Sequence, residues 1–415
     1  MNLAEAEYSP QTVIGPVLVI VVATACFWST AVVEIGAVLL VLNALVLVLV
    51  LRKDYSSPQV RQAPIAVNIQ WALALWITYE LGVLVSFIAS GIPFSRHPGL
   101  VWHPLLVPAI LLTPTVVHYA NRIGIAFLFS AICSAAVTLV RQLASSGSQK
   151  ALAGFVGVTT YADLLALAVV VAAICFAKDR SYSKMSWAIA LAGVMLVLAL
   201  FKTFELAPII VVVGAVTLII YTLPAMAKLS WLGLIVIAAI AGPSIPILKV
   251  NWLIHGHTID RFIVWEEGTK LLWKAPFFGY GPGSYLKIMP AEIWTRFANR
   301  PPGAWHNDIL QTALDNGIIT SFSYTALIVL VLYQTFRTML KSASSESTAK
   351  ALGLLMLCLV SFGLIGNVIS TSILGVLFWI VLGLNLQINL SSVSTRLFAR
   401  ANMNIQKDVG TSYPG

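Results

Sequence analysis

Residues 30–51 read TAVVEIGAVLLVLNALVLVLVL, a run in which only Thr30, Glu34 and Asn43 are polar. A helix that crosses the hydrocarbon core of a bilayer needs about 20 such residues, so this stretch predicts a membrane span. Comparable apolar runs recur along the chain, at 12–28, 64–89, 103–120, 123–140, 154–177, 187–201, 204–222, 230–249, 317–337, 351–369 and 372–390. The sequence therefore predicts an all-α polytopic membrane protein with about twelve transmembrane helices.

Composition supports the same fold class. The chain is 59% hydrophobic and only 10% charged, whereas soluble domains carry roughly 25% charged residues. The formal net charge of +9 could suggest nucleic acid as a partner. Most basic residues, however, lie in short segments between apolar runs, a distribution typical of membrane orientation. We therefore expect membrane lipid, and no nucleic acid, around this protein.

The chain divides around one long polar segment. Residues 1–249 form a predicted bundle of about nine spans, and 250–316 form a loop with amphipathic helices. Residues 317–390 supply the C-terminal spans, and 391–415 a polar tail. Short loops richer in lysine and arginine favour a cytoplasmic N-terminus and tail, which places the loop 250–316 on the outer side.

Two cations near the outer side are candidates for anion binding. Arg261 begins a predicted helix, 261–273, at the start of the long loop, and a guanidinium offers a fork of donors that suits a phosphate or diphosphate. The alternative is an arginine that only reaches toward the membrane surface. Lys202 ends an apolar run, where it either binds an anion or anchors the helix end, paired with Glu205.

The predicted helix 261–273 carries large apolar side chains. Phe262, Trp265, Leu272 and Trp273 are expected to be available to the membrane interface.

The segment 305–317, WHNDILQTALDNG, is the most informative part of the loop. His306 precedes an apolar-periodic helix that Asn307 or Asp308 can cap. An imidazole at this place can take a proton from a sugar hydroxyl near neutral pH, and the adjacent helix N-terminus favours an anion. The alternative is a histidine that only caps or packs.

Two further patterns in the loop have competing interpretations. Gly279, Gly281 and Gly283 resemble a phosphate-binding glycine loop, but no strand precedes them and Pro282 lacks a donor, so a tight turn is favoured. His255, His257 and Asp260 could bind a metal, but no second cluster completes a site, so a polar loop is favoured. Within the apolar runs, Glu34 and Glu80 either line a cavity or pair with a neighbouring helix.

Taken together and in order, Arg261-x-x-x-Trp265, Pro276-Phe-Phe-Gly-Tyr-Gly-Pro-Gly283 and His306-Asn307-x-x-Leu310, followed by Gly317-Ile318, resemble the O-antigen ligase / Wzy polymerase family with its Wzy_C domain. The resemblance implies a GT-C-like glycosyltransferase of the bacterial inner membrane. Such an enzyme transfers a glycan from undecaprenyl diphosphate to an acceptor at the periplasmic face. Ligases use lipid A–core as acceptor, and polymerases use a second lipid-linked glycan.

The resemblance also assigns roles to individual residues. His306 would act as general base or orient the acceptor, and Arg261 would hold the diphosphate. Lys202-Thr203 lies near the place of a Ser-Arg pair in the family, while Asn307, Trp265 and the glycines of 279–283 would support the site. The lipid diphosphate is already activated, so no cofactor is implied, and no acidic metal-binding pair stands in the outer loops, so no metal is implied either.

Three functions compete on this sequence. The first is the transferase, with a ligase favoured slightly over a polymerase. The second is a transporter of a lipid-linked sugar, against which the single asymmetric loop argues, because many transporters are built from repeated halves. The third is a membrane scaffold, against which the clustered Arg, His and Gly residues argue.

Overall fold

The computed structural model describes residues 10–51, 67–144, 156–178, 184–203, 205–222, 257–275, 277–296, 304–341 and 347–389. Within these ranges the chain is helical and contains no strand. The longer helices are α1 Pro10–Ala25, α2 Thr30–Leu51, α3 Val67–Ser90, α6 Ala120–Ala144, α7 Val158–Lys178, α8 Lys184–Lys202, α9 Leu206–Thr222, α10 His257–Leu272, α13 Asp308–Asn316, α14 Ile318–Lys341, α15 Ser347–Ile365 and α16 Ser372–Asn389. The shorter ones are α4 Pro98–Trp102, α5 Leu106–Leu111, α11 Tyr285–Ile288 and α12 Ala291–Arg296.

Seven helical segments in the described ranges are long and apolar enough to cross a membrane. They are Thr30–Leu49, Gln70–Ser90, Thr115–Ala144, Val158–Phe176, Ile318–Arg337, Thr348–Ile365 and Ser372–Asn389. The protein is thus an all-helical polytopic membrane protein, as predicted. Predicted spans at 12–28, 187–201 and 204–222 correspond to shorter apolar helices, and the predicted span 230–249 lies outside the described residues.

The predicted span 103–120 is wrong as a single helix. This stretch breaks into a 3₁₀ turn at His103–Leu105, the helix α5 and a second 3₁₀ segment at Pro114–Tyr119. The sequence contains prolines at 104, 108 and 114. Each proline lacks the backbone N–H that would continue a long helix, and its ring crowds the preceding turn.

Two of the spanning segments lie at the centre of the bundle. The Ser372–Asn389 segment is 83% buried and the Val158–Phe176 segment 67% buried, against 28% for Thr30–Leu49. A helix that is apolar on every face is suited either to lipid or to a protein core, so only packing separates these cases. The N-terminal end of α7, the helix that contains Val158–Phe176, lies at the site described below.

A second, small core lies in the loop region. Its buried members are Val264, Met289, Ile293, Trp305 and Leu314. Trp305 is fully buried, and its indole N–H donates to Ser284 Oγ at 3.1 Å. Gly268 lies directly against this indole, so α10 packs closely onto the start of α13. This core fixes the two helices that carry Arg261 and His306.

Candidate functional site

The N-terminus of α13 is held by two consecutive residues. Asn307 is the N-cap: its side-chain oxygen accepts the Leu310 N–H at 2.9 Å, and its amide donates to the Leu364 carbonyl at 3.0 Å. The cap predicted for Asn307 or Asp308 is thus formed by Asn307. Asp308 is buried, and its carboxylate accepts the Val368 N–H at 3.0 Å. The turn that bears His306 is therefore tied to the connection between α15 and α16.

His306 itself has an unusual backbone. Its φ is 53°, in the left-handed region that few non-glycine residues adopt. Such conformations persist where neighbouring contacts fix them, and they cluster at functional sites. Here the neighbouring contacts are the cap at Asn307 and the hydrogen bond described next.

Trp265 connects His306 to α10. Its indole N–H donates to the His306 carbonyl at 3.1 Å. Arg261 stands four residues earlier on α10, and residues at this spacing lie on the same helix face with Cβ atoms about 6 Å apart. The contact therefore holds the backbone of His306 against α10, one helical turn after Arg261 in that helix.

This contact corrects part of the interface prediction. Trp265 binds the His306 turn, and Leu272 packs against the small core, so neither is a free interfacial side chain. Phe262 and Trp273 are 61% and 87% exposed. The difference arises from tertiary contacts that helical periodicity alone does not show.

Arg261 lies near an acid of the membrane bundle, Asp163, which in turn lies near Glu205. Asp163, in the second turn of α7, is buried and lies close enough to interact electrostatically with both Arg261 and Glu205. Glu205, just before α9, accepts a hydrogen bond from the Thr159 hydroxyl at 3.1 Å. Arg261 is partly buried at this point. The arginine of α10 therefore has an acidic neighbour in the membrane bundle.

Lys202 occupies a more open position at the end of α8. Its side chain is exposed. The possible pairing of Lys202 with Glu205 is not formed, because the described ion pairs do not include it and Glu205 bonds Thr159 instead. Lys202 nevertheless ends α8 only three residues before Glu205, which precedes α9.

The glycine segment is a tight turn against α13. Gly279, Gly281 and Gly283 have φ of 75°, 93° and 74°, a region that favours glycine. The Gly281 N–H donates to the Asp315 carbonyl at 2.9 Å, and the Gly283 N–H to the Asp315 carboxylate at 3.3 Å. These donors are used within the protein, as the tight-turn interpretation predicts. The turn supports α13 and does not cradle a phosphate.

Two buried acids of α13 have altered pKa values. Burial raises the pKa of Asp308 to about 8, although the N–H groups of Ile369 and Val368 oppose the rise. Burial raises the pKa of Asp315 to about 6, opposed by hydrogen bonds from Ser284, Gln311 and Gly283. Both acids thus hold backbone segments together.

Other sequence candidates lie elsewhere. Glu34 pairs with the buried His103 at 3.2 Å, while one carboxylate oxygen of the buried Glu80 lacks a hydrogen-bond partner among the described residues. His255 lies outside the described residues, as do the side chains of His257 and Asp260, so the metal interpretation of that segment stays a prediction. No group of three or more metal-ligating side chains occurs in the described ranges.

Pairwise contacts connect four helix N-termini in this region, through Thr159 and Glu205, Asp163 and Arg261, and Trp265 and His306. Thr159 and Asp163 lie in the first turns of α7, and Glu205 precedes α9. Arg261 is in the second turn of α10, and His306 precedes α13. Each N-terminus carries about half a positive charge. Such helix ends, with the guanidinium of Arg261 among them, suit an anionic group such as a phosphate ester.

The sequence analysis did not select Asp163 and considered Glu205 only as a partner of Lys202. A signal for Asp163 was present, because it is an acid within the apolar run 154–177, and ionisable residues in spans are candidates for function. Its proximity to Arg261 depends on how α10 folds back over the bundle, which the sequence does not reveal.

Comparison with known families adds one match. Residues 166–325 match the family model described as Wzy_C, O-antigen ligase. The matched region contains Lys202, Arg261, the glycine turn and His306, whereas Asp163 lies just before it. The resemblance indicated by the motifs of the loop is thereby confirmed. No curated protein matches the chain.

Proposed function

We propose, on the premise that residues 166–325 form a Wzy_C, O-antigen ligase, domain, that this membrane protein is a lipid-linked glycan transferase. It would transfer a glycan from undecaprenyl diphosphate to a sugar hydroxyl of an acceptor glycolipid such as lipid A–core. The bacterial inner membrane is the proposed location, with the site open to the periplasm. A GT-C-like arrangement of about twelve spans is the proposed architecture.

One observation supports this proposal most strongly. The Trp265 indole holds the His306 carbonyl at 3.1 Å, one helical turn from Arg261. An arginine on α10, and a histidine whose backbone is held against the next turn of that helix, are the residues that would supply the two functions the reaction needs. One function is to stabilise a leaving diphosphate, and the other is to accept the proton of the attacking hydroxyl.

The proposed reaction divides these tasks. The bond between the sugar carbon and the diphosphate oxygen breaks as the acceptor hydroxyl oxygen forms a new bond to that carbon. His306 takes the hydroxyl proton. Arg261 and Lys202, with the surrounding helix N-termini, stabilise the negative charge that develops on the diphosphate. Asn307 and Trp265 hold the His306 turn, and the glycines of 279–283 support α13.

Reconstitution with a defined undecaprenyl-diphosphate glycan tests these roles. Arg261→Ala is expected to slow transfer by about 100-fold or more, the scale for removing a group that stabilises developing charge. His306→Asn is expected to do the same, because asparagine tolerates the left-handed backbone but cannot act as a base. Lys202→Ala should have a smaller effect, because Lys202 is more exposed.

A matched control lies on the same helix. Lys270 is exposed and pairs with Glu266 at 2.9 Å and Glu267 at 2.7 Å. Lys270→Ala should therefore leave transfer unchanged. Normal transfer by Arg261→Ala and His306→Asn, in protein that is folded and inserted, would contradict the proposed roles.

The same experiment separates the alternatives. A Wzy-type polymerase would extend a second lipid-linked glycan and give a ladder of products, whereas a ligase would make one addition to a lipid A–core acceptor. A transporter would move the lipid-linked sugar across vesicle membranes without forming a new glycosidic bond.

A further inference from the structure

The segment 277–283 lies at the level where two spans end. The Gln70–Ser90 span ends at Ser90, and Gly281 is packed against Ser90 and the nearby Ile92. The Ile318–Arg337 span begins one residue after Gly317, and Gly317 is packed against the backbone of Phe277 and Phe278. Two independent span ends therefore place this segment at the membrane boundary.

Three aromatic side chains project from the protein at this level. Trp273, Phe277 and Phe278, here called the aromatic edge, are 87%, 59% and 45% exposed. The rings of Phe277 and Phe278 stack edge to face at 5.1 Å. Exposed aromatic clusters of this kind mark interaction surfaces in soluble proteins, and at a membrane boundary they are typical of the interfacial belt.

The aromatic edge is continuous with the lipid-facing side of α14. Ile318, Ile319 and Phe322 at the start of that helix are 53%, 46% and 70% exposed. Since Gly317 directly contacts the Phe277–Phe278 backbone, the exposed apolar side chains at the start of α14 follow directly on the residue that packs against the aromatic edge.

Positive charge accompanies the aromatic edge. Lys274 follows Trp273 directly, and Lys287 lies beside the exposed Leu286 on α11. Both lysine side chains are exposed. Basic residues next to apolar anchors are attracted to negatively charged lipid headgroups, which identifies the chemistry of the partner.

We propose that the aromatic edge, with Lys274 and Lys287, inserts into the headgroup region of the leaflet on the loop side and binds anionic phospholipid there. This contact anchors the C-terminal end of α10 to the bilayer, while the N-terminal end of that helix rests on the bundle at Asp163. The inference depends only on the fold and holds whatever reaction the protein catalyses.

Site-specific fluorescence on the full-length protein tests this proposal. Cys133 and Cys175 are replaced by alanine, while Cys26 and Cys358 are buried and remain. A Phe277→Cys variant is then labelled with an environment-sensitive fluorophore and reconstituted into phosphatidylcholine vesicles, with and without phosphatidylglycerol. Lipids that carry a quencher near the headgroup should quench this label several-fold more than water-soluble iodide does.

The matched control is Thr269→Cys in the same background. Thr269 is exposed one turn before Trp273, between Glu266 and Lys270, and its label should show the opposite preference. Phosphatidylglycerol should increase lipid quenching at residue 277, and a Lys274→Gln, Lys287→Gln pair should remove that increase. If Phe277→Cys does not fold, Trp273→Cys provides the same measurement.

Two results would overturn the proposal. One is equal quenching of the labels at 277 and 269. The other is a label at 277 that is shielded from both lipid and water quenchers and that crosslinks to a second copy of the chain, which would make the aromatic edge a protein interface.

Discussion

Two pairs of carboxylates flank α10, and their partners differ in kind. Asp308 and Asp315 on α13 accept hydrogen bonds from backbone N–H groups, among them those of Val368 at 3.0 Å and Ser284 at 3.0 Å. Asp163 and Glu205, at the ends of α7 and α9, have side chains as partners: the guanidinium of Arg261 and the hydroxyl of Thr159.

The difference separates structural acids from acids available for chemistry. A carboxylate that satisfies buried backbone donors cannot be removed without leaving those donors unpaired. A carboxylate beside a mobile cationic side chain can exchange partners when a ligand arrives. We therefore infer that the α13 pair shapes the site and that the Asp163–Glu205 pair helps to position Arg261.

Among the variants that test this distinction, Asp315→Ala has the largest expected effect, which is on the stability of the fold. Asp315→Ala removes the acceptor for the N–H groups of Gly283 and Ser284 and should lower the free energy of unfolding by about 3 kcal/mol. Thermal unfolding in detergent measures this loss. Glu266→Ala, which removes an exposed carboxylate of α10, should leave the unfolding midpoint almost unchanged. An equally small effect of Asp315→Ala would refute the structural role.

Asp163→Asn should have the opposite pattern, with slower transfer and unchanged stability. The isosteric amide keeps the shape but loses the charge that faces Arg261, so transfer should slow by up to about 100-fold, the scale of a mispositioned group. The unfolding midpoint should stay constant. Retained activity together with a lower midpoint would show that Asp163 belongs with the structural acids.

The raised pKa of Asp308 predicts a dependence of stability on pH. With a folded pKa of about 8 against 3.8 in the unfolded chain, the folded state keeps a proton that the unfolded state has lost. The free energy of unfolding should therefore fall as pH rises from about 4 to 8, by at most about 1.4 kcal/mol per pH unit. Asp315, with a pKa of about 6, contributes only to the lower part of this range.

Asp308→Asn isolates that effect. The slope between pH 7 and pH 8 should flatten in the variant, because Asp315, with a pKa of about 6, is by then largely ionised while Asp308, with a pKa of about 8, is still losing its proton in the folded state. Unfolding midpoints measured across this range report the slope. An unchanged slope would assign the pH dependence to other groups.

The smallest expected effect is that of metal removal. Transfer by the reconstituted protein should be unchanged by a chelator, since the proposed reaction uses cationic side chains to stabilise the diphosphate. Asp163 and Glu205 are the acids of the site that could hold a divalent cation. A different result would replace the proposed role of that pair with metal binding. In that result the chelator abolishes activity, magnesium restores it, and magnesium no longer restores it in Asp163→Asn.

Much of the fold follows from local pattern. Apolar runs of sufficient length predicted each of the seven spanning helices, and the Gly and Asn signals predicted the tight turn at 279–283 and the cap of α13. The run 103–120 failed because hydrophobicity was counted without the three prolines that interrupt it. Periodicity assigned Trp265 and Leu272 to the interface, although contacts from α13 and the loop core bury part of each.

The sequence alone determined that this chain is a membrane protein and which loop carries the conspicuous histidine, arginine and glycines, because length, hydrophobicity and motif order are local properties. Only the tertiary structure placed the His306 backbone against α10 one turn after Arg261, set Asp163 near both Arg261 and Glu205, and assigned Asp308 and Asp315 to backbone donors. Those relations join residues far apart in sequence, so they depend on how the helices pack. For α10 and α13, that packing is the contact of Gly268 with Trp305.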